Sequence, residues 1–235
     1  MPRLTVMTYN IAQAVGVDNA EDLLRIAAVI GAAGADVVAL QEVAADEQAG
    51  EQGARLAAIL GMHLALGTKL GVWHTGPGHP DRPYGLAILS RYPIVSVHRQ
   101  VLPPSHDDRR ELLQAGLHIA GRTLTFATTH PSATSPQRRA VQLAAAHTLL
   151  SAIRGPLILA GDFNDTPDAP TIAPFAATFT DAGGGPTFPA EKPADRIDYI
   201  FAGPGIRTAH ARVPATDASD HRPLVARLTL PPATP

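Results

Sequence analysis

Polar side chains stand where several apolar stretches of this sequence end: Asn10, Glu42, His130, Asp162 with Asn164, Asp198, and Asp220 with His221. Burying such groups costs free energy unless they are paired. Each one alone has an ordinary explanation. Asn10 and the Asp220-His221 pair suit turns, Glu42 suits a solvent-facing loop, and His130 before Pro131 suits a satisfied polar contact. Together they describe a chemistry. Asn10, Glu42, Asp162, Asn164 and Asp220 offer the oxygen atoms that a hard cation prefers. His130 and His221 carry the side chain that moves protons near neutral pH. Asp198 supplies a carboxylate that can orient one of those imidazoles. Metal, base and orienting acid are the parts needed to hydrolyse a bond with an activated water.

Composition narrows the choice. The chain has no cysteine, so disulfides, thiolate nucleophiles and zinc–thiolate centres are excluded and any metal must rest on oxygen or imidazole. The carboxylate-rich set argues further against a zinc-type hydrolase. A formal net charge of −2, from 19 Lys+Arg and 21 Asp+Glu, lacks the basic excess of a dedicated nucleic-acid binder. With 45% hydrophobic and 17% charged residues, the chain can bury a sizeable core. No stretch approaches the roughly 20 apolar residues that span a bilayer. Met1-Pro2-Arg3 leads straight into Leu4–Tyr9 without the apolar core of a signal peptide. The expectation is a cytoplasmic protein with no transmembrane segment and no obligate protein partner.

The elements that must position these residues follow from periodicity. Leu4–Asn10 alternates as a strand, and Asn19–Ala33 has helical spacing with Asn19 as N-cap and Gly34 as the stop. Asp36–Gln41 is a buried strand, Glu51–Leu60 a helix and Met62–Leu66 a strand. Lys69–Pro83, rich in Gly, Pro and His, predicts an exposed loop. Gly85–Ser90, Ile94–Leu102, Glu111–Ile119 and Arg122–Thr129 read as consecutive strands, the last two joined at Ala120-Gly121. Pro136–Ile153 is an amphipathic helix, Pro156–Ala160 a buried strand, Pro170–Phe175 a short helix, and Arg196–Phe201, Ala209–Val213 and Leu224–Leu230 later strands. Two face-to-face sheets with helices outside would bury this many strands. The chain has no linker, short repeat or low-complexity tract, which predicts one domain over residues 1–235.

Several of these segments carry recognisable motifs: Met7-Thr8-Tyr9-Asn10-Ile11, Asp36 to Val43 around Gln41-Glu42, Tyr84-Gly85 to Ile94, Thr128-Thr129-His130, Gly161-Asp162-Phe163-Asn164-Asp165, Arg196-Ile197-Asp198-Tyr199-Ile200-Phe201 and Ser219-Asp220-His221-Arg222-Pro223. In this order they resemble the endonuclease/exonuclease/phosphatase superfamily, which includes deoxyribonuclease I, exonuclease III, abasic-site endonucleases and neutral sphingomyelinases. The resemblance implies a four-layer α/β-β/α sandwich, two packed mixed sheets flanked by helices, with the site at one end of the sheets. It implies Mg²⁺ or Mn²⁺ as cofactor and phosphoester hydrolysis as the activity. By the same resemblance Glu42 is the principal metal ligand with Asn10 nearby, and Asp220 supports the metal or its waters. Asp162 and Asn164 hold the attacking water and the phosphate, His221 is the general base with Asp198 its partner, and His130 assists the phosphate or leaving group. Leu86 stands where many relatives have Asn, and Pro131 where many have Leu. Both departures bear on substrate class more than on chemistry.

Further candidates are weaker. Tyr84, Arg109 and Arg110 could bind the substrate phosphate, the arginines through forked donors. Asp165 suits a turn cap, and Trp73, His74 and His79 fall in the 69–83 loop, where the single Trp could stack on a substrate or lipid. The phosphoester could be nucleic acid, a phospholipid head group or a small molecule. Only 5% of residues are aromatic, which leaves few stacking platforms for a polynucleotide. The competing reading is a non-catalytic binding member of the same fold, from which key ligands or bases are usually missing; here none is.

Overall fold

A computed structural model of the chain describes residues 1–46, 50–68, 71–73, 82–104 and 109–232. The first strand, β1 (Arg3–Asn10), passes through α1 (Leu23–Ala33) to β2 (Val37–Asp46), which lies parallel to β1. The short β3 (Gly50–Glu51), then α2 (Gln52–Leu60), β4 (His63–Leu66) and β5 (Gly71–Trp73), lead to β6 (Arg82–Ser90). Three antiparallel strands follow, β7 (Ile94–Leu102), β8 (Arg110–Ile119) and β9 (Arg122–Thr129). Helix α3 (Pro136–Ser151) then crosses to β10 (Leu157–Asp162), parallel to β9. The remaining elements are α4 (Ala173–Thr178), β11 (Thr180–Asp181), β12 (Asp198–Ala202), β13 (Arg207–Arg212) and β14 (Leu224–Thr229).

These strands form two mixed sheets. One has the spatial order β13-β14-β1-β2-β6-β4, with β3 on β2 and β5 on β6; the other runs β11-β12-β10-β9-β8-β7. Alternation along each strand gives every sheet two apolar faces. Leu4, Val6, Val37 and Ile88 of the first sheet meet Leu113, Phe126, Ile158 and Ile200 of the second in one buried cluster. On the opposite face of the first sheet, Met7, Tyr9, Val38 and Leu40 pack on Ile26 and Ile30 of α1 and Leu56 of α2. The outer face of the second sheet, through Leu157, Leu159, Tyr199 and Phe201, packs on Leu143 and Leu150 of α3 and Phe175 of α4. Three interfaces between four layers make the expected α/β-β/α sandwich. Burying each large side chain contributes roughly 1.5–3 kcal/mol.

Two local expectations are corrected. Helix α1 begins three residues later than its apolar spacing suggested, because Asp22 rather than Asn19 is the cap: its side chain accepts hydrogen bonds from the N–H groups of Leu24 and Arg25. Asn19 instead occupies a turn with φ 61°, closed by the hydrogen bond from Asn19 N to Gly16 O at 2.9 Å. Gly34 ends the helix at φ 63°, as expected. The predicted loop over 69–83 contains β5, which pairs Gly71 with Tyr84 and Trp73 with Arg82; its Gly and Pro content masked a hairpin. His74 and His79, and the side chain of Trp73, lie outside the described residues. Among the described residues no helix is long and apolar enough to cross a membrane.

Candidate active site

Strand polarity determines where the polar residues emerge. In each β-α-β unit the two strands run the same way, so their C-terminal ends reach one edge of the sandwich, where open α/β sheets bind ligands. β1 and β2 pair Asn10 with Gln41, and β9 and β10 pair Thr129 with Gly161, just before His130 and Asp162. A Cβ at Gly161 would lie 2.3 Å from the Thr129 carbonyl oxygen, so this approach requires glycine. The antiparallel neighbours arrive with opposite polarity and bring their N-terminal ends to the same edge. Asp198 opens β12 opposite Asp162, and His221 precedes β14, whose Leu224 pairs with Thr8.

Glu42 needs a further device. The β2–β6 register shifts between Leu40 and Val43, and Glu42 has φ 54°, a left-handed conformation costing a non-glycine residue about 1–2 kcal/mol. Such a bulge re-aims a side chain beside a site. Here it brings Glu42 to Asn10, whose Nδ2 donates to Glu42 Oε1 at 3.0 Å. Asn164 has φ 53°, which Asn tolerates. Its N–H donates to Asp162 Oδ1 at 2.9 Å and its Nδ2 to the Pro131 carbonyl at 3.2 Å. Beneath these groups a buried polar chain joins the sheets. Thr8 Oγ1 donates to Gln41 Oε1 at 3.2 Å, and Gln41 Nε2 donates to Thr128 Oγ1 at 3.0 Å.

A cleft of about 450 Å³ is lined by Asn10, Glu42, His130, Asp162, Asn164, Asp220 and His221. Asn10 Nδ2 donates to Asp162 Oδ2 at 3.1 Å as well as to Glu42, so one amide draws two carboxylates together. His221 Nδ1 lies 3.0 Å from Asp198 Oδ2, while its Nε2 faces Asp162 Oδ2 at 3.7 Å. His130 Nε2 is 3.5 Å from that same oxygen and 3.9 Å from Glu42 Oε1. Ser219 Oγ donates to the Asn10 carbonyl at 2.8 Å and accepts from His221 N at 3.3 Å. Asp162, Asp198 and His221 each offer a ligand-type atom within 4.8 Å of the others.

The charges are crowded. Burial, and then the Asp220 carboxylate, raise the pKa of Glu42. Burial, and then Asp198, raise that of Asp162. Burial disfavours the charged ring of His221, but Asp198 and Asp162 outweigh it and push the pKa up to about 10. His130 is held well below the usual histidine range, by burial and then by the positive charge of Arg110. The two imidazoles are thus set apart, one favouring the cation and one the neutral ring.

A family profile described as "Endonuclease/Exonuclease/phosphatase family" matches residues 7–221. The chain belongs to this family. Endonuclease/exonuclease/phosphatase proteins in general hydrolyse phosphoester bonds and typically depend on a divalent metal. Among solved structures, an endonuclease/exonuclease/phosphatase from Beutenbergia cavernae is 31% identical, with a TM-score of 0.83 over 98% of this chain and 72% of that one. A mannosyl-6-phosphatase from Bacteroides thetaiotaomicron shares the fold at 20% identity and a TM-score of 0.78, covering 97% of this chain and 100% of that one. So does the human Nocturnin catalytic domain with bound sulfate, at 23% identity and a TM-score of 0.75, covering 97% and 93%. None of the curated proteins compared with the chain matches it.

In this endonuclease/exonuclease/phosphatase chain, all eight residues singled out from strand ends meet at one edge of the sandwich, Asp220 at its exposed rim. Arg110 is buried behind His130, its Nη1 donating to the His130 carbonyl at 3.3 Å and facing Nδ1 at 3.5 Å, with the guanidinium 5.8 Å from the Tyr84 ring centre. Neither these two nor the exposed Arg109 is among the described residues lining the cleft. Asp165 is tied by Arg139 Nε at 3.0 Å and Thr171 Oγ1 at 2.6 Å. Sequence reasoning missed Gln41, Ser219 and Phe188, whose ring centre lies 4.8 Å from that of His221. Gln41 and Ser219 left a signal, each standing beside a singled-out residue in its motif, whereas Phe188 left none.

Proposed function

We propose that this protein is a divalent-cation-dependent phosphoesterase that hydrolyses phosphodiesters with a water activated by His221. One observation carries the reading: a buried imidazole is held at Nδ1 by Asp198 while its Nε2 faces a cleft also lined by Glu42 and Asn10. Asp198 keeps the proton on Nδ1, leaving Nε2 to accept a proton from the attacking water. Asp162 and Asn164 hold that water and the phosphate. His130, kept neutral, directs an Nε2–H at a phosphate or leaving-group oxygen, with Arg110 facing its Nδ1.

The residues fit a hard cation. Glu42 and Asp162 are acids pushed toward protonation by their surroundings, and Asp198 Oδ1 is buried without a hydrogen-bond partner. Ionising these acids in the buried cleft is therefore unfavourable until a countercharge is supplied. Glu42, Asn10 and Asp220 would hold Mg²⁺ or Mn²⁺ through oxygen. When bound, the cation polarises a phosphoryl oxygen and lowers the pKa of bound water. Countercharge at Glu42 and Asp162 also withdraws the stabilisation that keeps His221 protonated, so the free base is reached at lower pH.

The structurally similar mannosyl-6-phosphatase and the sulfate-bound Nocturnin domain support a tetrahedral anion as the ligand of this fold. The test is a phosphoester panel of plasmid, abasic duplex, bis-p-nitrophenyl phosphate, sphingomyelin and a sugar phosphate, each with Mg²⁺ and Mn²⁺. Turnover that stops on chelation is expected. Failure of every substrate with both cations overturns the phosphoesterase reading, and full turnover in excess EDTA overturns the cation.

A further inference from the structure

The walls of the cleft differ in character from its floor. Apart from the polar residues named above, the described lining consists of Ala12, Val15, Gly16, Val17, Ala133 and Phe188, with Asn19. On one side Phe188 tilts over His221 at 44° with ring centres 4.8 Å apart. Its loop is pinned to the segment carrying the base: Arg222 N donates to the Thr187 carbonyl at 2.8 Å and Ala190 N to the Asp220 carbonyl at 2.7 Å. Elsewhere in the lining Val17 N donates to the Asp217 carbonyl at 3.0 Å. At Gly16 a Cβ would lie 2.7 Å from both Arg25 Nη2 and the Asp217 carbonyl, so the ledge is pressed against that segment too. Both walls are anchored to residues 217–222 and are held in register with His221.

We infer that Val15, Val17 and Phe188 form an apolar leaving-group subsite, and that the preferred substrates are small phosphoesters of alcohols bearing an apolar group. This rests on the phosphoesterase reading, because a phosphoryl group between His221, Asp162 and Glu42 sends its ester substituent between these walls. Val17 is 38% exposed although it is a large aliphatic residue at a cleft mouth, which suits an apolar contact completed by ligand. A polyhydroxylated leaving group would lose water against the apolar side chains of Val15, Val17 and Phe188, which return no hydrogen bond. An apolar group loses nothing comparable and gains contact area. The cleft volume of about 450 Å³ lies within the range of small-molecule sites.

Binding of phosphonates, which cannot be hydrolysed, tests the subsite separately from turnover. Benzylphosphonate, octylphosphonate and the phosphonate analogue of glucose 6-phosphate are titrated by calorimetry with Mg²⁺ present. At least one apolar ligand should bind about tenfold more tightly than the sugar analogue, in line with discrimination by apolar pockets. Benzyl over octyl identifies a flat group, the reverse an alkyl chain. Phe188→Ala and Val17→Asn should each reduce that preference severalfold; Val17→Asn, at an exposed position, guards against a folding defect. A sugar analogue that binds as tightly as both apolar ligands overturns the subsite, as does a preference unchanged in both variants. If the apolar preference is present but no phosphoester in the panel is turned over, the reaction is wrong and the subsite stands.

Discussion

In the first β-α-β unit the parallel pairing ends at Asn10 and Gln41, just before Glu42, and in the second the strands lead to His130 and Asp162. The two units share a topology and a crossover helix, yet they present different chemistry at the same edge. Glu42 leaves the regular ladder through a bulge and keeps 18% of its side chain exposed, whereas Asp162 is the last residue of an unbroken strand with 1% exposed. Under the proposed function the more exposed Glu42 can meet a hydrated cation, while the rigidly held Asp162 keeps a water against the base. The comparison teaches that the sandwich supplies positions, and that the local backbone at each strand end decides what a position can do.

The division is broken most directly at the proton-handling side. His221→Ala and Asp198→Asn should each lower turnover by about 10⁴-fold, the scale seen when a base or its orienting carboxylate is lost, while cation affinity measured by calorimetry stays within a few-fold. Turnover of His221→Ala within tenfold of wild type would move the base elsewhere, His130 being next. On the other side, Glu42→Gln should weaken cation affinity by about 100-fold, at the upper end for groups supporting a metal, with activity partly restored at high Mn²⁺. A variant with unaltered cation affinity would remove Glu42 from the coordination sphere.

A smaller effect is expected at the bridge between the two units. Gln41→Leu strands the buried hydroxyls of Thr8 and Thr128 and should cost about 1–3 kcal/mol in urea unfolding. An unchanged midpoint would mean that the two sheets are joined by apolar packing alone. The smallest effect is on thermal stability against pH in the presence of chelator. Asp162 has its folded pKa raised from 3.8, so its contribution is complete below that value and is lost as pH climbs through the folded pKa. His221, raised from 6.5 to about 10, contributes fully below 6.5 and loses its contribution as pH rises to about 10. Both slopes have one sign, while His130, lowered below 6.5, has the opposite slope only up to that pH, so Tm should fall by a few degrees between pH 7 and pH 10. Added Mg²⁺ should recover more at pH 8 than at pH 5; the opposite order would contradict the charge reading.

Much of the site was legible because polar residues closing apolar runs are few, and strand polarity leaves them little choice of edge. Asn10, Asp162 and Asp198 follow directly from that logic. Glu42 was legible as a residue but not as a conformation, since a bulge answers to the partner strand β6, whose register no local pattern reveals. Arg110 was legible as a phosphate-binding candidate but not as a buried residue, since its burial depends on Tyr84 and His130, distant in the chain. Asn19 and Asp22 are both good caps, and only the turn at Gly16–Ala20 decides between them. The hairpin through β5 was hidden by glycine and proline, which speak for local turns and are silent about pairing.

The bond between His221 and Asp198 joins a residue entering the first sheet to one opening the second. Asn10 in turn reaches Asp162, 152 positions away, and its carbonyl receives Ser219, 209 positions away. Contacts of such separation form late, after the loop entropy between them has been overcome. Under the proposed function the apparatus has no partial version: a chain that has not yet delivered residue 221 holds Glu42 and Asn10 but lacks the partner of Asp198.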